Sequence, residues 1–210
     1  MKIRPFRALR ALGTLAFDPY DTKAGSQVVG ALTGDSWERH AQEMRSDADG
    51  FDLLKDRPDL GAMLSRREWL ASLPNGSLGR AYLRWSDDRG FNPAQMRTSL
   101  GARQTGLSDA DYLLDRANIS HDLWHIVTGY GTDLRGEAAV THLMLFQYRH
   151  TGMILASFVA GAFQGWKLRR RVRALSDTCQ WLPPVRWEEL LELPLNRVRS
   201  RLQIKPERLN

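Results

Sequence analysis

The tripeptide Gly129-Tyr130-Gly131 constrains the fold of this chain more than any other feature of its sequence. Apolar residues recur at helical spacing on both sides of it, and glycine commonly ends helices. The pattern therefore predicts two helices joined by a short turn, an αα-hairpin over residues 108–150. Because a short connection makes consecutive helices antiparallel neighbours, side chains of the two helices can face one another.

The predicted helices of this hairpin also carry capping residues at their starts. Ser108 is a good N-cap for the first helix, and Asp111 lies three residues later, at the spacing of a capping box. Thr132 or Asp133 can cap the second helix directly after the turn. The sequence thus places the start of each helix within one or two residues.

Helical patterns dominate the rest of the chain as well. Strand signals are thin, since no series of alternating segments is closed by Asn-Gly or Asp-Gly turns. A long loop or short turns are predicted at 87–106, and further helices at 24–48, 58–73, 78–85, 153–176 and 187–204. We therefore predict an all-α fold, a single-domain helical bundle around the central hairpin.

Length and composition agree with one domain over residues 1–210. The 42% hydrophobic content is enough for a core and excludes wholesale disorder. The most apolar stretch, residues 153–163, is too short to span a bilayer, and the N-terminus lacks the apolar region of a secretory signal. The single cysteine, Cys179, favours a reducing compartment. We expect a protein that is soluble or peripheral to a membrane.

The segment His121-Asp122-Leu123-Trp124-His125 carries the clearest chemistry. Residues four apart on a helix lie about 40° from each other, so both histidines can face one metal ion. Glu137 follows His125 by twelve positions, and the turn lets it return toward the pair from the second helix. Two imidazoles and one carboxylate are a ligand set typical of catalytic zinc.

Asp122 lies at the flank of the same helix face, about 100° from His121. As a fourth ligand it would close the coordination sphere of the metal. Outside that sphere it could orient a histidine or transfer a proton. We therefore name His121, Asp122, His125 and Glu137 as candidate metal ligands, and Asp122 and Glu137 as candidate catalytic residues.

Three enzyme classes with related motifs fit this sequence poorly. A zinc peptidase needs a glutamate after the first histidine, and Asp122 is shorter. An HD-type phosphohydrolase needs a suitably spaced upstream histidine, and only His40 lies upstream. The two glycines of the turn do not make a dinucleotide-binding loop, since the third glycine and the preceding strand are missing. We leave His142, His150 and Cys179 as structural residues.

The motif His121-Asp122-x-x-His125-x11-Glu137 resembles that of the Coq4 family of ubiquinone-biosynthesis proteins. Further similarity to the family extends from about residue 52 to 204. The stretches that align with it are Arg116, Gly136, Leu73-Pro74, Ser77-Leu78-Gly79 (with Ser-Leu where the family usually has Thr-Phe), Tyr82, Glu188-Glu189, Pro194-Leu195, Val198-Arg199 and residues 202–204. The chain departs from the family at Ser77-Leu78, at Asn118 and in its Gly-Tyr-Gly turn, while residues 1–50 match only loosely. These departures affect expected substrate contacts and leave the candidate ligands intact.

The resemblance implies an all-α protein that binds a divalent metal, zinc first, with iron or cobalt as alternatives. It implies work on a polyprenylated benzoquinone precursor, together with other ubiquinone-biosynthesis proteins and at a membrane surface. That surface would be the cytoplasmic face of a bacterial inner membrane, or the mitochondrial inner membrane in a eukaryote. A homodimer is a reasonable expectation for a protein of this size.

Two functions follow from the resemblance. In the first, the metal binds the substrate's carboxylate or phenol and supports removal of the ring carboxylate at C1 with hydroxylation there. In the second, the metal is structural and the protein is a scaffold that organises the other biosynthetic enzymes. Loss of the site should block one step in an enzyme and depress several steps in a scaffold.

Residues 153–163 and the basic cluster after them have two interpretations. The small residues of the apolar stretch could leave a groove for a prenyl tail, or could pack closely in a core helix. The cluster of Lys167, Arg169, Arg170, Arg171 and Arg173 could be a solvated helix face or could contact anionic lipid, as could the N-terminal basic residues. The net charge of +6 also permits nucleic-acid binding, but no such module is recognisable, so we expect none.

Overall fold

The computed structural model describes residues 36–90, 108–148 and 165–207. Within these ranges the chain forms ten helices and no strand, apart from one antiparallel β-bridge between Ser77 and Pro194. The predicted all-α fold is confirmed.

The helices differ widely in length, and the longest lies near the middle of the chain. In chain order they are α1 (Ser36–Ser46), α2 (Ala48–Asp56), α3 (Leu60–Leu64), α4 (Arg67–Ser72), α5 (Leu78–Asp87), α6 (Asp109–Thr128), α7 (Leu134–Gln147), α8 (Trp166–Thr178), α9 (Trp187–Leu190) and α10 (Leu195–Arg201).

The central hairpin of α6 and α7 begins and turns as its sequence predicts. The Ser108 hydroxyl accepts a hydrogen bond from the Asp111 backbone N–H and donates one to the Asp111 carboxylate. Gly129 ends α6 in the left-handed region, at φ 78°, which a glycine adopts without strain. The Asp133 carboxylate caps α7 by accepting from two backbone N–H groups, those of residues 135 and 136.

Several predicted helix bounds are wrong. Helix α8 does not continue from residue 153, because Gly165 has φ 97° and ψ 128° and the helix begins after it. The predicted tail helix over 187–204 is two short helices, since Pro194 has no N–H to continue a helical ladder. The predicted segment 58–73 is likewise split into α3 and α4.

Helix α2 was not predicted at all. It is only nine residues long and has a glycine in its first turn, so it is too short to give a clear periodic signal. The Asp47 side chain starts it by accepting from the Gly50 backbone N–H at 2.8 Å.

Other predictions fall partly or wholly outside the described residues. They are the start of the helix at 24–48, most of the loop at 87–106, His150, the N-terminal basic residues and the apolar stretch 153–163. Within the described ranges, no helix is both long and apolar enough to cross a bilayer. The single domain over 1–210 stays a prediction.

Helix α6 is the axis of the core because it contributes to both hydrophobic clusters. Leu123 and Trp124 belong to the larger cluster, with residues from α5, α7, α8 and the tail. Leu113 and Ala117, two turns earlier, belong to the smaller cluster with α1 and α2. The helix is therefore fixed from both sides along most of its length.

The C-terminal tail pairs its backbone with the start of α5. The N–H groups of Leu78 and Gly79 donate to the carbonyls of Leu193 and Leu191, at 2.9 and 2.8 Å. A Cβ at Gly79 would lie 2.6 Å from a Leu73 methyl carbon and 3.1 Å from the Leu191 carbonyl oxygen, so a larger residue would displace the Leu73 side chain and crowd the paired backbone. Two segments more than a hundred residues apart thus form one substructure.

The tail also holds the C-terminal end of α6. The Arg199 guanidinium donates to the carbonyls of Ile126 and Val127, both at 2.9 Å. The Glu207 N–H donates to the Thr128 carbonyl at 2.8 Å. These bonds satisfy carbonyl groups that have no partner within the helix.

A buried ion pair joins α6 to α9. Arg116, only 5% exposed, donates to both carboxylate oxygens of Glu188 at 2.7 and 2.8 Å and to the Val185 carbonyl at 2.9 Å. Burial lowers the pKa of Arg116, but the hydrogen bonds and charge of Glu188 outweigh this and raise it overall. The guanidinium therefore stays charged in the core.

We predict that Glu188→Gln costs about 3 kcal/mol of unfolding free energy, because it leaves the buried Arg116 charge without its partner. The control is Arg67→Ala, which removes a pair between side chains that are 46% and 49% exposed, Arg67 and Asp87. Such a pair contributes about 1 kcal/mol or less. Urea unfolding measures both changes, and equal losses would contradict the prediction.

Candidate metal site

Three of the four predicted site residues come together where α6 meets α7. One ligand atom from each of His121, His125 and Glu137 lies within 4.8 Å of the other two. The Nε2 atoms of His121 and His125 lie 3.6 and 3.4 Å from the two carboxylate oxygens of Glu137. Both imidazoles therefore present the same ring nitrogen to one point in space.

The short turn between the helices places Glu137 opposite the histidines. Glu137 is the fourth residue of α7, so its position depends on how that helix starts. A Cβ at Gly136 would lie 1.9 Å from the Gly131 carbonyl oxygen. Only glycine at position 136 lets the first turn of α7 lie directly on the backbone of the interhelical turn.

A backbone carbonyl fixes the orientation of His125. Its Nδ1 lies 3.2 Å from the carbonyl oxygen of Tyr130, which can only accept, so Nδ1 carries the proton. The lone pair is then on Nε2, which is buried and makes no hydrogen bond. An imidazole held in this tautomer, with its second nitrogen buried and unbonded, fits a metal ligand.

Asp122 lies outside the three-residue cluster. Its Oδ1 is 3.5 Å from Nδ1 of His121, the ring nitrogen that faces away from Glu137. A carboxylate beside the outer nitrogen of a histidine suits the orientation of that ring. Of the two roles open to Asp122, the geometry therefore favours support of His121 over direct coordination.

The electrostatics of the cluster keep Glu137 ionised. Burial raises the pKa of Glu137, but its interaction with His125 and the nearby His121 and Arg89 outweigh this, so the pKa lies below its usual value. An ionised carboxylate is the form that binds a cation.

One side of the cluster is open to solvent. The His125 side chain is buried, whereas those of His121 and Glu137 are 27% and 39% exposed. Three protein ligands with an open side leave room for a further ligand, as in catalytic zinc sites.

Three contacts around the site were not predicted. The Trp85 ring lies 6.2 Å from that of His125 at an interplanar angle of 29°, and the Arg89 guanidinium lies 4.4 Å from the Trp85 centroid. Trp85 comes from α5, and no spacing in the sequence connects it to the histidine motif. The Tyr130 carbonyl was missed because backbone groups leave no residue-specific signal.

The other candidate residues lie outside any such cluster of the described residues. His142 is buried in α7, and burial lowers its pKa to about 4, so its ring is neutral. Burial raises the pKa of the Cys179 thiol to about 11, and the sulfur lies 3.3 Å from the Gln147 amide nitrogen. Both environments suit structural residues.

Comparison with known proteins gives a consistent picture. The profile of the family described as coenzyme Q (ubiquinone) biosynthesis protein Coq4 matches residues 7–208. The mitochondrial ubiquinone biosynthesis protein COQ4 of Arthroderma otae is 31% identical over 172 residues, which cover 77% of this chain and 62% of that protein. The Paracoccidioides brasiliensis protein of the same name is 30% identical over 172 residues, which cover 77% of this chain and 58% of that protein. The match spans less than two thirds of the length of these relatives.

A solved structure has the same fold. It is that of a Nostoc punctiforme protein provisionally named a ubiquinone biosynthesis protein. The two superpose with a TM-score of 0.69, at 19% identity, over 94% of this chain and 97% of that one. At this identity the likeness shows the fold alone.

We predict about one divalent metal per wild-type chain and close to none in His125→Ala or Glu137→Ala, because two ligands retain a cation poorly. Elemental mass spectrometry of folded, purified protein measures the content. Glu189→Ala is the control, since that carboxylate is exposed on α9 and lies outside the cluster. Wild-type protein without metal would contradict the prediction and favour the scaffold.

We also predict that Gly136→Ala weakens metal binding roughly ten- to hundredfold, the usual loss when support of a ligand is disturbed. The methyl group cannot fit against Gly131, so the first turn of α7 and Glu137 must move. Gly76→Ala is the matched control. It also adds a methyl group to a glycine, at φ +86°, but no atom lies within 4 Å of the added Cβ, so no clash displaces a metal ligand. Competition with a metal-sensitive chelator measures the affinity, and equal behaviour of the two variants would count against this account.

Proposed function

Because the chain belongs to the Coq4 family of coenzyme Q (ubiquinone) biosynthesis proteins, we propose that it catalyses C1 decarboxylation with hydroxylation of a polyprenylated benzoquinone precursor, with molecular oxygen as the oxidant and the source of the new hydroxyl oxygen. The observation that carries the proposal is the open cluster of His121, His125 and Glu137, in which a buried Nε2 has no hydrogen bond. A purely structural site is usually closed by four protein ligands.

The residues present fit a divalent cation, zinc first and iron or cobalt as alternatives. Two histidines and a carboxylate are also the ligand set of non-haem iron oxygenases, which suits a hydroxylation. A cation bound here would supply a Lewis acid that stabilises negative charge on the ring as carbon dioxide leaves.

The protein's own residues hold this site in place and control its protons. The Tyr130 carbonyl accepts from Nδ1 of His125, so that Nε2 of this ring keeps a lone pair, and the Asp122 carboxylate lies 3.5 Å from Nδ1 of His121, where it favours the same tautomer. Asp122 is the group best placed to exchange a proton through His121. The Trp85 ring lies 6.2 Å from that of the buried His125.

We further propose that the protein works at a membrane surface. Helix α8 begins with Trp166, which is 52% exposed, followed by the exposed Lys167 and Arg170. An aromatic ring beside basic side chains suits the headgroup region of an anionic bilayer. The relatives in Arthroderma otae and Paracoccidioides brasiliensis are named mitochondrial, which agrees with an inner-membrane surface. A homodimer and contacts with other ubiquinone-biosynthesis proteins complete the proposal.

Lipid extracts of a host that depends on this chain test the catalytic role. We predict that Glu137→Gln accumulates one prenylated intermediate that keeps its C1 carboxylate and lowers ubiquinone at least tenfold, because the variant lacks the anionic ligand. Mass spectrometry identifies the intermediate. The control Glu189→Gln should restore ubiquinone to the wild-type level.

A scaffold gives a different result. If Glu137→Gln lowers several intermediates together, and the other biosynthetic enzymes lose their association, the protein is an organiser and its metal is structural.

A further inference from the structure

One cation near the metal cluster forms no ion pair with a carboxylate of the described residues, although its charge helps to lower the pKa of Glu137. Arg89 follows α5 and is exposed, and its guanidinium stacks on the face of Trp85 at 4.4 Å. The same indole lies 6.2 Å from the ring of His125. The Trp85 ring is therefore close to both the guanidinium and His125 of the metal cluster.

The contacts of Arg89 are all with neutral groups. Its Nε and one terminal nitrogen donate to the Thr132 hydroxyl at 3.3 and 3.2 Å, and the other terminal nitrogen donates to the Trp85 carbonyl at 3.1 Å. No carboxylate within the described ranges forms an ion pair with it. Arg67, Arg116, Arg171, Arg173 and Arg186, by contrast, each have an acidic partner.

The hydrogen bonds leave part of the guanidinium available. A guanidinium has five N–H groups, and three are engaged here, one on each nitrogen. One N–H on each terminal nitrogen is left without a partner within the described ranges, and two such groups can act as a fork that binds a carboxylate through both of its oxygens. The contacts with Trp85 and Thr132 hold this fork in place before any ligand binds.

We propose that Arg89 binds the carboxylate of the substrate at the mouth of the metal site. The inference rests on the proposed function. It assigns each of the two polar groups of the aromatic substrate to its own binding partner in the site. The ring carboxylate binds Arg89, and the phenol oxygen is left for the metal. Arg89 thereby makes the site specific for aromatic acids over phenols that have already lost the carboxylate, which also favours release of the decarboxylated product.

Binding of two compounds that differ only in the carboxylate tests the assignment. The probes are 3-geranyl-4-hydroxybenzoate and 2-geranylphenol, titrated calorimetrically into the full, zinc-loaded chain. Wild-type protein should bind the acid about tenfold more tightly than the phenol, the contribution of a charged hydrogen-bonded pair at an exposed site. Arg89→Ala should bind both equally, with unchanged affinity for the phenol.

Two further variants separate charge from structure. Arg89→Lys keeps the charge without the fork and should retain part of the preference. Arg84→Ala removes the same charge from an exposed position on α5 and should bind as wild type. Zinc content and melting temperature of each variant report whether the site and the fold are intact.

The assignment is overturned if Arg89→Ala keeps the preference for the acid, if it weakens both compounds equally, or if wild-type protein shows no preference. The first two results leave the metal site and the proposed function standing. A wild-type chain that takes up zinc and binds neither compound would overturn the proposed substrate class together with the role of Arg89.

Discussion

The candidate site depends on one close approach of backbone to backbone. Gly136, in the first turn of α7, lies on the carbonyl of Gly131, where no Cβ can fit. The contact fixes the start of α7 relative to the turn that ends α6, and so it sets where Glu137 lies. Asp133 reinforces it by capping α7 from inside the turn, while the Tyr130 carbonyl of the same turn orients His125. Four residues within the segment 130–136 thus position two of the three candidate ligands.

The C-terminal tail makes this local arrangement rigid. Arg199 and the Glu207 N–H bind the last carbonyls of α6, one to three residues after His125. Arg116 binds Glu188 from the middle of the same helix, and the residues around Pro194 pair with the start of α5. The matched family residues upstream of the motif and in the tail are therefore mainly structural. They fix the position of α6, and the position of α6 in turn determines where His121 and His125 lie.

The sequence predicted the hairpin well because its signals are local. The caps, the glycine turn and the i, i+4 histidines each depend on residues within one or two helical turns, where spacing alone determines geometry. The short helices of the tail and the break before Trp166 were not predicted correctly. They depend on a single proline or glycine conformation and on contacts with distant segments, which outweigh weak helical periodicity.

The amino-acid sequence by itself determined the all-α class, the starts of α6 and α7 with the glycine turn between them, and the resemblance to the Coq4 family. Only the tertiary structure decided that Asp122 lies beside His121 and outside the cluster, that Arg116 pairs with Glu188, and that Trp85 and Arg89 lie at the mouth of the site. The Arg116–Glu188 pair and the position of Trp85 beside His125 depend on the packing of α5 and the tail against α6. Such contacts join residues far apart in the chain, and helical spacing carries no information about them.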